Sequence, residues 1–381
     1  MSPGRDAVVV DAVRSPVGRR GGGLSGVHPV DLSAHVLTSL AARTGLDPAD
    51  VDDVVWGCVS QTGEQAVNVA RNAVLAAGWP EDVVGMTIDR QCGSSQQAVH
   101  VAAAGVIAGH YDIAVAGGVE SMSRVPMLST MTQGPGVPFG PAMLARYPDG
   151  LVPQGVSAEI LAERWRLSRT DVDEIAVRSH ARAAAATEAG VFASELAPVA
   201  GVVADEGIRP GTDLDTLAGL RTAFKDDGVV TAGNSSQISD GAAALLVTTS
   251  EVAARHGWRP LARVHAVARA GVDPVTMLTG PIAATARVLE RAGLGLDEID
   301  AFEVNEAFAS VVGAWLAETG AAVDRVNPRG GAIALGHPLG GSGARLMTTL
   351  VHHLAARGGR WGLQTMCEGG GMADATVLER L

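Results

Sequence analysis

The chain has 381 residues, 47% hydrophobic and 18% charged, which supports a large packed core and excludes a disordered chain. A net charge of −12 argues against a nucleic-acid partner, whose phosphates need clustered Lys and Arg. The three cysteines, Cys58, Cys92 and Cys367, are too few and too scattered for a disulfide framework and fit a reducing, cytoplasmic setting.

In chain order, the first expected element is a short apolar strand over 8–10, and Asp11, Arg14, Arg19 and Arg20 interrupt any leader-like apolar run. The run Gly21-Gly22-Gly23 lacks the strand-to-helix context of a phosphate loop and is read as structural. Alanine-rich helical periods over 32–43, 66–77 and 95–108 alternate with strands over 54–55, 86–89 and 113–116. That alternation predicts a layered α/β domain containing parallel pairs. The stretch 99–119 is broken by His110, Tyr111 and Asp112. A bilayer span needs about 20 apolar residues, so a buried helix, a turn and a strand are expected instead.

Residues 123–153 are rich in Pro, Gly and Met and read as a long structured loop. Helices are expected from Ser157, placed as an N-cap, and over 170–189, closed by Gly190. A strand within 243–248 then returns to the first half. The second half replays the pattern: strand 262–267, helix 282–292, strand 301–304, helix from Ala307, helix 344–356, and paired strands 362–367 and 373–378. The expected domains are 1–118 with about 233–255, an inserted lobe over 119–232, and 256–381.

Three blocks carry chemistry. Gln91-Cys92-Gly93-Ser94-Ser95-Gln96-Gln97-Ala98 sets a thiol between a strand and a helix, where the helix dipole should lower its pKa. Gly93 supplies the turn, and small Ser94 and Ser95 are expected to let a thioester approach the backbone. Gly336-His337-Pro338-Leu339-Gly340-Gly341-Ser342-Gly343 presents an imidazole that can take a proton near physiological pH. His352 and His353 point in different directions on a helix and are expected at the surface. No two histidines have metal-ligand spacing on one helix face, so no catalytic metal is expected. Cys367-Glu368-Gly369-Gly370-Gly371 adds a second thiol able to move a proton at the α-carbon of a thioester, beside amides that can face an oxyanion. Asn305, at a strand-to-helix junction, reads equally as a helix cap or a site residue. Cys58 has no partner motif and is expected in the core.

These blocks, with Asn305-Glu306-Ala307-Phe308, resemble the signature blocks of the thiolases (acyl-CoA C-acyltransferases), in that family's order and nearly from end to end of the chain. The resemblance implies a duplicated, layered α/β/α/β/α fold with two similar mixed-sheet halves and an inserted loop lobe over the active site. It implies Cys92 as nucleophile, His337 as base towards Cys92 or incoming coenzyme A, and Cys367 as the second acid–base. The amides of Cys92 and Gly369 would form one oxyanion hole; a water oriented by Asn305, with His337, would form another. Gly233–Gly241 is similar to the family's pantetheine-contacting loop, with Ser236 at the contact position, and Arg209 aligns with an arginine lying against adenine. Coenzyme A is then a substrate, no tightly bound cofactor is implied, and sheet-edge association implies a homodimer or homotetramer.

The implied reaction is a ping-pong acyl transfer in lipid metabolism. A 3-oxoacyl-CoA and coenzyme A give acetyl-CoA and a shortened acyl-CoA, or the reverse condensation runs. Short-chain biosynthetic thiolases carry His-Met where this chain has Pro153-Gln154 before Gly155-Val156-Ser157-Ala158-Glu159. With Ser95-Gln96-Gln97, this resembles bacterial thiolases acting on longer or bulkier chains, steroid side chains included. Three rivals stand beside this reading. An acetoacetyl-CoA-specific biosynthetic thiolase would prefer the short substrate, a ketosynthase would lack Cys367, and a non-catalytic lipid-binding relative would be expected to lack Cys92 or His337.

Overall fold

In the computed structural model, which describes residues 4–381, the first half opens with β1 (Val8–Arg14), β2 (Gly18–Arg19), α1 (Pro29–Thr44), β3 (Asp53–Gly57) and α2 (Val69–Ala76). It continues with β4 (Val84–Ile88), α3 (Ser94–Ala108) and β5 (Ile113–Ser121). A lobe follows, carrying α4 (Ser129–Thr132), α5 (Pro141–Arg146), α6 (Gln154–Arg164), α7 (Arg169–Glu188) and α8 (Leu214–Ala218). The chain then returns through β6 (Ser239–Thr248) and α9 (Ser250–Arg255). The second half holds β7 (Ala262–Gly271), α10 (Gly280–Ala292), β8 (Ala301–Val304), α11 (Ala309–Thr319), α12 (Ala332–Leu335), α13 (Leu339–Arg357), β9 (Trp361–Glu368) and β10 (Met372–Arg380).

Both halves follow one path. The sheet order is β4-β3-β5-β6-β1 in the first and β7-β10-β9-β8 in the second, with β1 and β7 meeting through Val8↔Arg263 and Val9↔Ala262. β3 and β5 are parallel, as are β8 and β9. Antiparallel pairing then continues through β5–β6–β1 and through β9–β10–β7.

Strand alternation distributes side chains between two cores, because successive residues face opposite sides of a sheet. Val54, Trp56, Val115 and Leu246 face α1 and α2, while Val55, Ala114, Ala116, Leu245 and Val247 face α3 and α13. Phe302, Val304, Leu363 and Val377 pack against Ala284 and Val288 of α10 and Val312 and Trp315 of α11. With α3 and α13 between the sheet halves and helices on both outer faces, the architecture is the layered α/β/α/β/α arrangement. Burial on both faces explains why β5 and β6 read as continuous apolar runs.

Two local expectations fail. The helix expected from Ser157 is α6, which starts at Gln154 after Pro153, so Ser157 lies inside it with its hydroxyl buried and unpartnered. The cap in this region is Ser168, which forms a capping box with Asp171 at the start of α7. His352 is not a surface residue: it is 8% exposed, and its Nε2 donates to Ala12 O at 2.9 Å across the layers. The glycine run after Arg19 has its amides occupied, since Glu206 accepts from Arg19 N and Gly23 N at 3.1 Å. Among the described residues, no helix is long and apolar enough to cross a membrane.

Candidate active site

The starts of α3 and α13 cross with their backbones close together. A β-carbon at Gly57 would lie 2.4 Å from Ser95 N, and one at Gly343 would lie 2.3 Å from Gln96 N. Ser95 Oγ accepts from Ala344 N at 2.9 Å, while Ser94 Oγ accepts from Arg90 N and donates to Gln91 O. Both serines are fully buried. Ser95 locks the start of α3 to α13, while Ser94 closes its own turn. Glu120, at the end of β5, clamps the same region. Its carboxylate accepts from Val59 N, Ser60 N, Gly340 N and Gln65 Nε2 at 2.7–3.0 Å.

Cys92 sits in the turn leading into α3. Gln91 takes a positive φ of 49° and Gly93 N donates back to Arg90 O. The thiol packs among Met122, Leu339, Leu346 and Met366. Its pKa is pushed up to about 12, chiefly by burial. The expected lowering by the helix dipole is overturned, because desolvation in an apolar pocket outweighs a partial charge worth less than about 2 kcal/mol. The resting residue is a thiol that needs a base.

The candidate base is assembled at the start of α13, whose backbone lies against the start of α3. Gly336 takes a φ of 102° and lets the chain turn tightly against Ser239, so His337 leaves α12 pointing inward. His337 N donates to Ser239 Oγ at 3.2 Å and to Gln237 O at 3.3 Å. Ser342 donates to Pro338 O at 2.8 Å, so its oxygen accepts from His337 Nδ1 at 2.6 Å. This assigns the proton to Nδ1 and leaves Nε2 with its lone pair, 3.4 Å from Asn305 Nδ2. Burial, followed by the charge of Arg345, pushes the His337 pKa down to about 3, so the ring rests neutral.

Asn305 is not the cap of α11, which begins four residues later after Phe308. Its backbone N–H donates to Thr365 O of β9, and its Oδ1 is buried without a protein partner. Glu306 beside it accepts from Ser179 Oγ of α7, Asn327 Nδ2 and Ile333 N, tying the lobe to this junction. Cys367 ends β9 in a pocket with Ala158, Leu161, Met277 and Phe308. Burial and then the charge of Cys92 push its pKa well up, which puts the two thiols within electrostatic reach. Gly369 follows, and a β-carbon there would lie 3.1 Å from Gln91 Oε1 and 3.4 Å from Gln154 Nε2.

The remaining predicted residues separate. Ser236 is half-buried, its N–H donating to Ala307 O at 2.9 Å, so its loop runs along the Asn305 block. Arg209 lies exposed on the lobe with its N–H on His180 Nδ1 at 3.2 Å, and no ion pair engages its guanidinium among the described residues. Cys58 is fully buried in the core beneath α1 and α2. Sequence reasoning missed Ser342, Glu120, Ser239 and Gln237. Ser342 stood within the histidine block and Gln237 and Ser239 within the Gly233–Gly241 segment, whereas Glu120 carried no signal.

The thiolase N-terminal domain family matches residues 7–251 and the thiolase C-terminal domain family matches 258–380. The chain belongs to the thiolase family. It is an acyltransferase of the class that exchanges acyl groups between 3-oxoacyl-CoA and coenzyme A. It is 50% identical to the steroid 3-ketoacyl-CoA thiolase FadA6 of Mycobacterium tuberculosis, over 99% of this chain and 94% of that protein. It is 45% identical to the beta-ketoadipyl-CoA thiolase of Escherichia coli, over 99% and 100%. The crystal structure of the Bacillus anthracis acetyl-CoA acetyltransferase superposes with a TM-score of 0.91 at 38% identity, covering 99% of each chain.

Proposed function

We propose that this thiolase uses Cys92 as the acyl carrier, His337 as its base and Cys367 as the acid–base for the departing carbon, on 3-oxoacyl-CoAs larger than acetoacetyl-CoA. The observation that carries the assignment is the Nδ1–H tautomer of His337, held by Ser342, which leaves the Nε2 lone pair free to accept a proton. Cys92 gives its proton to Nε2 as sulfur attacks C3. The C2–C3 bond breaks with its electrons moving to C2, and Cys367 protonates that carbon to release acetyl-CoA. The imidazolium then returns its proton to the Cys367 thiolate. Nε2 next takes the proton of a second coenzyme A, whose sulfur removes the acyl group, and hands that proton to the departing Cys92. The amides of Cys92 and Gly369 stabilise one oxyanion, which is worth roughly 3–4 kcal/mol when a donor is well placed. Asn305, with His337, holds a water for the other.

Ser236 and Arg209 are assigned to coenzyme A, and the lobe over 119–232 to holding it above the site. The larger acyl side is supported by Gln154, whose amide borders Gly369 where short-chain relatives place His-Met, and by the bulky substrates named for the two relatives above. We assign a cytoplasmic setting from the three free thiols. A homodimer or homotetramer would form through β4, which ends the sheet and exposes Val84. The test is a panel of thiolysis rates across 3-oxoacyl-CoAs, with peptide mapping of the acyl-enzyme. Faster turnover of longer or ring-bearing substrates than of acetoacetyl-CoA is expected; strict preference for acetoacetyl-CoA overturns the substrate class.

A further inference from the structure

Behind the nucleophile turn lies a buried polar layer that the reaction above leaves unused. Glu368 and Asp374 stand diagonally on one face of the β9–β10 ladder, where Glu368 pairs with Met372 and Asp374 with Met366. Both side chains are fully buried, and none of their four carboxyl oxygens receives a donor. The Glu368 carboxyl is wedged beneath the turn: a β-carbon at Gly93 would lie 1.9 Å from its Oε1. Glycine at 93 is therefore the space that Glu368 occupies.

The groups around the pair are Arg90 beyond β4, Arg269 on β7, His100 on α3 and the thiols Cys92 and Cys367, while Asp89 and Glu120 face Cys92. Arg269 Nε lies 3.7 Å and His100 Nδ1 3.8 Å from Asp374 Oδ1. Thr376 Oγ1 accepts from Gln96 Nε2 at 2.8 Å, which leaves its proton for His100 Nε2 at 2.7 Å. His100 then carries its own proton on Nδ1, towards Asp374. Gln96 Oε1 accepts from Gln364 Nε2, which also donates to Gly343 O of α13. One polar chain thus runs from beneath Cys92 to the helix that follows His337.

Two adjacent buried carboxyls lacking donors cannot both ionise, and one proton between them supplies each with a partner. Burial pushes both carboxyls upward, and the cationic and N–H groups that stand closest, Arg269 Nε and His100 Nδ1, face Asp374 and favour the charge there. We propose that Glu368 is a positioning residue for Cys92: as a neutral acid donating its proton to Asp374, it fills the space beneath Gly93 without setting a negative charge against the nucleophile. Proton transfer from Cys92 to His337 then proceeds without a further carboxylate charge directly beneath the turn. This rests on the assignment of Cys92 above.

The experiment measures iodoacetamide alkylation of Cys92 by peptide mass in the full-length enzyme, comparing wild type with Glu368→Gln across pH. At pH 7 the two rates are expected to agree within about twofold, because the substitution removes no charge. At higher pH, where the wild-type acid ionises, the variant becomes the faster. Acceleration of about tenfold or more at pH 7 would mean a carboxylate had been present there, and would overturn the proposal. If Glu368→Gln does not fold, the infrared difference between the native enzyme and Glu368→Asp at pH 7 decides: a shifted protonated carboxyl band supports the proposal, and a spectrum unchanged in that band refutes it. Substrate acylation mapped to a residue other than Cys92 would instead sink the underlying assignment, separately from the alkylation comparison.

Discussion

The two halves of the molecule follow the same strand path yet close it very differently. In the first, the antiparallel partners β5 and β6 are joined by residues 122–238, the whole lobe. In the second, the matching partners β9 and β10 are joined by Gly369-Gly370-Gly371 alone. Each half also aims one helix start at the same place, Cys92 ahead of α3 and His337 ahead of α13. Duplication thus supplies two converging helix starts, and the closing connections divide the labour. One becomes a lobe of five helices, to which coenzyme A binding is proposed; the other is a turn short enough to bring Gly369 against Gln91, the neighbour of Cys92.

The sharpest way to break this comparison is to remove the group that each helix start delivers. Cys92→Ala should abolish thiolysis, a loss of at least about 10⁴-fold, while coenzyme A binding by calorimetry stays within about threefold, since the lobe is untouched. His337→Ala should fall about as far in kcat, and the double variant hardly further, because the two act as one unit. Additive losses would mean that the two helix starts serve separate steps.

The convergence itself was partly legible in the chain. Cys92, His337 and Cys367 each sit in a contiguous block whose glycines mark unusual backbone, so they stand out as candidates without coordinates, whereas Asn305 reads equally as a helix cap. The layered fold was readable too, because β5 and β6 are buried on both faces and carry unbroken apolar runs. What escaped depends on contacts between distant segments. The Cys92 pKa moved up rather than down because packing by Leu339 and Met366 sets its solvation, and neither residue is near in sequence. His352 was misplaced for the same reason, its partner Ala12 being 340 positions away. The start of α6 was misread because Ser157 is a good cap by composition, whereas the chain enters the helix at Pro153-Gln154.

A milder probe tests whether the second helix start delivers a base of defined tautomer. Ser342→Ala removes the acceptor for His337 Nδ1–H, so the ring can flip or take the other proton position. The expected result is a fall of about tenfold in kcat with KM little changed, since the ring remains but its lone pair is less often on Nε2. Restoration by Ser342→Thr, which keeps the hydroxyl, would tie the loss to that hydrogen bond. A rise in KM alone would mean Ser342 shapes the substrate pocket instead.

The smallest effect concerns the lobe, the feature that the second half lacks. Ser168 caps α7 through Asp171 N at 3.2 Å, and Asp171 returns a bond to Ser168 N at 2.7 Å. Ser168→Ala should cost about 1 kcal/mol and leave kcat within about twofold, because the cap lies on the exposed lobe. Its more informative consequence is where that cost appears. α7 is tied to the second half through Ser179 and Glu306, not only to its own lobe. If the lobe opens as a separate unit, amide exchange should quicken in α7 and leave β5 and β6 unchanged. Quickened exchange in β8 and β9 as well would show that the insertion has become part of the second half's cooperative core. The lobe would then be a brace between the halves, and the comparison drawn from their connections would have to be redrawn around Glu306.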